Sequence, residues 1–280
     1  MKILITGGEG RLARALAGAL SEHRLSTLAH RDLDITDADA VERAIQRHAP
    51  DLLINAGAFN DVDAAEDRAE QAYRVNAIGP GILARAAARA EIAIVHFSSD
   101  YVFDGTSRRP YEERDQPNPL SVYGKSKLEG ELAVAEANPR HFIVRTAWLY
   151  DEKSRNYLTT MRDIAISRER LKVVDDQFGS PTYIPHLARA IAAIIRDRDY
   201  GLRHLAGSGT ASRLEIVELI LSALGVRAGV ERVSLRDFPA VARRPAFSPL
   251  TTSREPRVEL PHWRAGVEDF IRACHSQAPG

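Results

Sequence analysis

Apolar residues along this chain follow two rhythms. Short continuous runs rich in Ile, Leu and Val alternate with longer stretches in which apolar positions recur every third or fourth residue among Arg and Glu. Continuous runs suit strands buried on both faces, and the three-to-four spacing marks helices with one apolar stripe. The pattern predicts strands at 2–6, 26–29, 52–55, 93–98, 142–146 and 171–174, and helices at 12–20, 38–47, 69–90 and 122–137. Pro50 ahead of a strand and Gly79-Pro80-Gly81 inside a helical stretch are the clearest local breakers. Four or more successive βα units predict an α/β fold with a doubly wound parallel sheet, the Rossmann arrangement. Beyond about residue 146 the rhythm loosens. Pro181, Pro185, Pro239, Pro245, Pro249, Pro256 and Pro261 separate short elements, and only 184–196 and 213–224 read as clear helices. The expected division is a larger domain of residues 1–146 with part of 171–205, and a smaller, irregular lobe made mostly of 147–170 and 206–280. No internal repeat or low-complexity linker interrupts it.

Composition narrows the class. A chain of 280 residues with 44% hydrophobic and 27% charged residues can fill a sizeable core and keep its surface wet. Lys and Arg number 38, as do Asp and Glu, so no global field draws in nucleic acid or an anionic membrane. Any anionic ligand must be bound locally. The sole cysteine, Cys274, has no partner for an intrachain disulfide. Neither His-Glu-x-x-His nor Cys-x-x-Cys spacing is present, so no metal is assigned. The N-terminal apolar run is too short for a signal peptide, and no run of about 20 apolar residues could span a bilayer. A soluble cytoplasmic protein is expected.

Three segments carry chemistry. Gly7-Gly8-Glu9-Gly10-Arg11-Leu12-Ala13 follows the first strand and opens the first helix. Glycine permits a tight turn and close backbone approach, and the helix N-terminus offers free N–H groups to a pyrophosphate. This predicts a dinucleotide held at Gly7, Gly10, Arg11 and Leu12. The second strand runs into Ala29-His30-Arg31 where an acidic residue would grip a ribose 2′-hydroxyl. Arg31 can pair with a 2′-phosphate instead, which favours NADPH and leaves NADH open, or it is one more solvated arginine. Asp34-Ile35 is placed to contact the adenine edge. Further on, Tyr123 and Lys127 in Val122-Tyr123-Gly124-Lys125-Ser126-Lys127 share a helix face. An ammonium beside a phenol stabilises the phenolate and draws its pKa down from about 10. The chain has five lysines, two of them in this hexapeptide. Ser99, after the fourth strand, can hold a carbonyl oxygen beside the phenol, although serine after a strand is also ordinary loop chemistry.

The glycine turn, Ser99 and Tyr123-x-x-x-Lys127, in that order, resemble the extended short-chain dehydrogenase/reductase superfamily. More narrowly, Ser98-Ser99-Asp100-Tyr101-Val102-Phe103-Asp104-Gly105, the segment 122–131, Arg145-Thr146-Ala147-Trp148-Leu149-Tyr150, Asp176-Gln177-Phe178-Gly179-Ser180-Pro181-Thr182 and Arg244-Pro245-Ala246-Phe247-Ser248-Pro249-Leu250 resemble the dTDP-4-dehydrorhamnose reductase family. The resemblance covers nearly the whole chain, and the 176–182 segment is its most specific part. It implies an NADPH-dependent reductase in which Tyr123 protonates the C4 oxygen of a nucleotide sugar, Lys127 holds the nicotinamide ribose and Ser99 positions the sugar oxygen. It further implies that Asn55, Ala56 and Gly57 line the cofactor and that Asn76 matches a superfamily asparagine. Asp100 and Val102 would meet the substrate, with Trp148 near the sugar and Arg244 toward the nucleotide phosphates. Trp148 reads equally as core, and Arg244 as surface. Relatives that form dimers, some with Mg²⁺, leave a homodimer open, with no Mg²⁺ ligands placed here.

The chain also departs from this pattern. Phe59-Asn60 stands where a Tyr-Thr pair is usual, and Phe247, Pro249 and Thr251 where Asn, Arg and Asp are usual. The leading expectation is reduction of dTDP-4-dehydro-L-rhamnose. The alternatives are a reductase or epimerase of another nucleotide sugar, or a non-catalytic cofactor-binding subunit like the regulatory subunit of methionine adenosyltransferase. The intact Ser99, Tyr123 and Lys127 argue against the last.

Overall fold

The structure, a computed structural model, describes residues 1–167 and 170–276. Six strands form one parallel sheet: β1 (Lys2–Thr6), β2 (Arg24–Leu28), β3 (Leu52–Asn55), β4 (Ala93–Ser99), β5 (His141–Thr146) and β6 (Gly201–His204), in the spatial order 2-1-3-4-5-6. Alternate residues of each strand face opposite sides, and both sides are covered. Ile3, Ile5, Ile54, Val95 and Val144 pack under α1 (Arg11–Ala19) and a later helix, Ile184–Asp197. Leu4, Leu53, Ile94 and Ile143 pack under α2 (Ala38–His48), α3 (Gly79–Arg89) and α4 (Val122–Ala137). The chain moves from β1 outward to β2 and then back across to β3 on the other side of β1. This reversal opens a crevice at the carboxyl ends of β1 and β3, where ligands sit in doubly wound sheets.

Two expectations need correction. A strand does form at Arg170–Val174, but it pairs in parallel with Gly229–Val233 in the smaller lobe. The sixth place in the main sheet goes to β6, which carries no apolar run: Leu202 is followed by Arg203 and His204, both buried. Polar partners, not apolar patterning, admit this strand. His204 Nδ1 meets the Tyr111 and Thr251 carbonyls, and Arg203 pairs with Asp199. The stretch 69–90 is a helix over Ala69–Tyr73, a wide π-turn over Arg74–Ile78, and then α3. Gly79-Pro80-Gly81 does not break it. Pro80 lies in the first turn of α3, where a missing N–H costs little, and the irregularity comes one turn earlier.

The smaller lobe is built from α5 (Tyr157–Ser167), α7 (Arg213–Leu224) and α8 (Trp263–Ser276), α6 being Ile184–Asp197 of the large lobe. Two-residue strand pairs stitch these together, Leu149–Tyr150 with Thr182–Tyr183 and Phe178–Gly179 with Ala211–Ser212. Its core joins Tyr150, Tyr183, Ile216, Trp263, Val267 and Phe270. Among the described residues, no helix is long and apolar enough to cross a membrane.

Candidate active site

A cavity of about 320 Å³ opens at the β1/β3 crevice and runs to the head of α4. One end is the glycine turn. Gly7 has φ of +68°, and a Cβ there would lie 2.6 Å from the Gly57 nitrogen, so only glycine lets the turn touch the end of β3. Gly8 N–H donates to Leu28 O at 2.9 Å, which pins the turn to β2. Gly10, Arg11, Leu12, Asn55, Ala56 and Gly57 line the cavity as expected positions, while Gly7 shapes the turn from behind. Asn55 ties three strands together. Its Oδ1 accepts from Thr6 Oγ1 at 2.8 Å and from Gly57 N at 3.2 Å, and its amide meets His96 Nδ1 at 3.2 Å. Burial, with the Lys127 charge nearby, holds His96 well below its ordinary pKa.

At the other end Ser99, Tyr123 and Lys127 come together. The head of α4 is fixed by Ser121, whose Oγ accepts from Gly124 N at 3.1 Å, and by Glu66, whose carboxylate accepts from Val122 N at 2.9 Å. Tyr123 and Lys127, one turn apart, are buried, and the Tyr101 ring meets Tyr123 edge-on at 5.6 Å. Ser99 Oγ accepts from Tyr101 N at 3.2 Å and donates to Asp100 Oδ1 at 3.0 Å. Burial drives the Tyr123 pKa upward, its hydrogen bond with Ser99 pulls it down, and the Asp100 charge pushes it up again. Lys127 Nζ donates to Phe97 O at 2.6 Å, and burial lowers the lysine's own pKa to about 8, with Glu131 opposing. In this geometry Tyr123 holds its proton at neutral pH.

The far wall comes from both lobes. Asp100 is buried and its pKa is raised by burial to about 6, against the hydroxyls of Ser248 and Ser99 and the charge of Arg213. Ser248 Oγ, from the smaller lobe, donates to Asp100 Oδ2 at 2.7 Å. Trp148 lines the cavity with φ of 44°, a strained value for a side chain of its size, and its Nε1 is a buried donor with no partner among the described residues. Asn60, one of the departures, faces the same cavity, and Phe59 packs with Val62, Tyr101 and Tyr123. Phe247 lies beside Phe178, ring centroids 6.2 Å apart. Arg213, unremarked in the sequence, also lines the cavity, stacked on Trp148.

Several expected residues lie elsewhere. Arg244 does not line this cavity. Asp63 holds its guanidinium at 2.7 and 3.2 Å, beside a separate surface hollow walled by Arg236, Val241 and Ala242. The Val102 side chain is core, packed with Phe103, Tyr111 and Leu250. Ile35 is buried where a Cβ on Gly79 would meet it at 2.8 Å, and Asp34 accepts from Thr36 N and Oγ1. Neither lines the cavity; the short apolar Ile35 is taken by the helix-side core. Arg31 is exposed and paired with Glu9 of the glycine turn. Asn76 is structural: its amide bonds both Phe59 N and Phe59 O and reaches Ser126 Oγ, which steadies the loop behind Tyr123.

Comparison with known proteins adds to this geometry. A family model described as the RmlD substrate binding domain matches residues 1–276. A dTDP-4-dehydrorhamnose reductase of Sinorhizobium fredii is 37% identical, over 98% of this chain and 97% of its own. The crystal structure of a dTDP-4-dehydrorhamnose reductase from Clostridium acetobutylicum superposes with a TM-score of 0.94 at 37% identity, covering 98% of this chain and 100% of that one. A dTDP-4-dehydrorhamnose reductase from Bacillus anthracis in complex with NADP has a TM-score of 0.94 at 34% identity, covering 97% and 99%.

Proposed function

Because the chain belongs to the dTDP-4-dehydrorhamnose reductase family, an NADPH-dependent oxidoreductase family, we propose that it reduces the C4 keto group of dTDP-4-dehydro-L-rhamnose to give dTDP-L-rhamnose. The observation that carries this reading is one cavity with a glycine-lined cradle at one end and Ser99, Tyr123 and Lys127 at the other. Gly10, Arg11 and Leu12 suit a dinucleotide pyrophosphate, because they line the cavity at the start of α1, whose N-cap Gly10 leaves the first-turn N–H groups without a side-chain cap. Arg31, just after β2, suits a 2′-phosphate once it is released from Glu9. NADPH, when bound, supplies the hydride. Tyr123 holds at its Oη the proton that the C4 oxygen requires, and burial keeps it there until a carbonyl arrives. Ser99, anchored by Asp100, aligns that oxygen. Lys127, locked to the Phe97 carbonyl, holds a charge beneath the cavity and suits a ribose hydroxyl.

The test is nicotinamide oxidation by the purified protein with enzymatically generated dTDP-4-dehydro-L-rhamnose, using NADPH and NADH in parallel. Tyr123→Phe is expected to lose roughly 10²–10⁴-fold in kcat, the range of a general acid, while NADPH binds as before. Arg31→Ala is expected to narrow the preference for NADPH. Turnover that survives in Tyr123→Phe, or sugar conversion without net cofactor consumption, overturns the reading. Asn60 facing the cavity makes other 4-keto nucleotide sugars the next substrates to try.

A further inference from the structure

Arg213 is the first residue of α7, and its guanidinium carbon lies over the Trp148 ring, 3.5 Å from the centroid, and over the Tyr157 ring at 4.5 Å. Stacking fixes the plane of the fork and leaves its in-plane N–H donors free. Its Nε donates to Gln177 Oε1 at 3.3 Å, and Gln177 in turn donates to Pro245 O at 3.4 Å, so a buried amide orients the arginine. Among the described residues, Arg213 forms no ion pair. Burial pushes its pKa down, with the Asp100 charge opposing. The Asp100 carboxylate feels the Arg213 charge but is already committed to the Ser99 and Ser248 hydroxyls. The second arginine on this side, Arg244, is paired with Asp63 and lines the neighbouring surface hollow, where it borders cavity-lining Tyr101. One oriented guanidinium, without an ion pair among the described residues, therefore faces the cavity from the smaller lobe.

A nucleotide sugar offers one group that answers it. The sugar and base are neutral, and the diphosphate between them is anionic and accepts bidentate hydrogen bonds. We propose that Arg213, and not Arg244, is the binding residue for the diphosphate of the nucleotide-sugar substrate, with Gln177 as its positioning residue. This rests on reading the cavity as a nucleotide-sugar site.

The experiment measures binding of dTDP, UDP and thymidine to the NADPH-loaded protein, wild type against Arg213→Gln, Arg213→Lys and Arg244→Gln, together with steady-state kinetics on the dTDP sugar. In Arg213→Gln, dTDP and UDP are expected to weaken roughly 10- to 100-fold, the span of one charge-assisted hydrogen-bond pair. Thymidine and NADPH affinities should stay within about twofold, KM should rise with kcat largely kept, and Arg213→Lys should recover part of the loss. Nucleotide binding in Arg213→Gln that stays within twofold of wild type overturns the assignment. So do equal losses for dTDP and thymidine, which would mean a packing role beneath Trp148, or a larger loss in Arg244→Gln. Wild type that binds these diphosphates through Arg213 but does not reduce the dTDP sugar would sink the proposed reaction and leave the assignment standing. Wild type that turns the sugar over while Arg213→Gln keeps its KM would do the reverse.

Discussion

Asp100 and Lys127 titrate on either side of neutrality because both are buried, and burial disfavours each charge. Asp100 has a raised pKa, so its carboxylate costs the fold nothing below about pH 4 and the full penalty above about pH 6, the sign opposite to that of a paired carboxylate. Function runs the other way. Above pH 6 the carboxylate accepts the Ser99 O–H, and below it a proton weakens that anchor. A profile of kcat/KM should therefore fall below about pH 6 and again above about pH 8, where Lys127 loses its charge. Asp100→Asn is expected to abolish the acid limb and keep the basic one, and an acid limb unchanged in that variant would refute the role given to Asp100. At this scale the sequence was legible where spacing encodes geometry: Tyr123 and Lys127 are one turn apart whatever surrounds them. Arg213 was not legible, since an arginine after the helix-capping Ser212 looks like any solvated helix start, and only packing on Trp148 distinguishes it. The anchor of Lys127 was also hidden, because the partner of its ammonium, the Phe97 carbonyl, is set by the packing of α4 against β4.

Between elements, the closest contact that shapes the site is that of α4 with the π-turn of residues 74–78. A Cβ at Gly130 would stand 2.1 Å from the Asn76 carbonyl oxygen, which is backbone and cannot swing aside. Gly130→Ala should thus push α4 away, destabilising by about 2–3 kcal/mol as an overpacked core does. For a chain of this size that corresponds to a loss of roughly 5–10 °C in Tm, readable by calorimetry. Because Asn76 also holds the Phe59 backbone, kcat should fall with it, and a variant of wild-type stability would contradict the packing described here. The main helices and the first five strands were visible in hydrophobic spacing because each buries apolar side chains against the sheet. A π-turn adds one residue per turn and leaves the apolar count nearly unchanged, so it passes unnoticed. β6 was missed for the converse reason: it is held by polar partners of Arg203 and His204.

Across the whole molecule, two polar ties close the lobes over the cleft. Ser248 reaches Asp100, and Asp63 receives Val241 N, Ala242 N and both terminal nitrogens of Arg244. Asp63→Ala is expected to loosen the 234–246 segment, so that trypsin cuts after Arg236 or Arg243 several-fold faster in the free protein, with substrate restoring protection. Equal cleavage rates would show that the tie does not hold the segment. The main sheet spans both halves of the chain. Strand β6 pairs with β5 across the intervening smaller-lobe residues, and α6 completes the cover over Ala13 and Leu16 of α1 and the adjoining Leu20. During synthesis the β5 edge and that face of α1 must wait for residues 147–204, roughly 3–12 s at ordinary elongation rates of about 5–20 residues per second. For that interval the nascent chain carries an open parallel edge beside bare apolar surface, a template for pairing with its neighbours. Chaperone occupancy on ribosomes translating this chain should peak after β5 emerges and decline once β6 has docked.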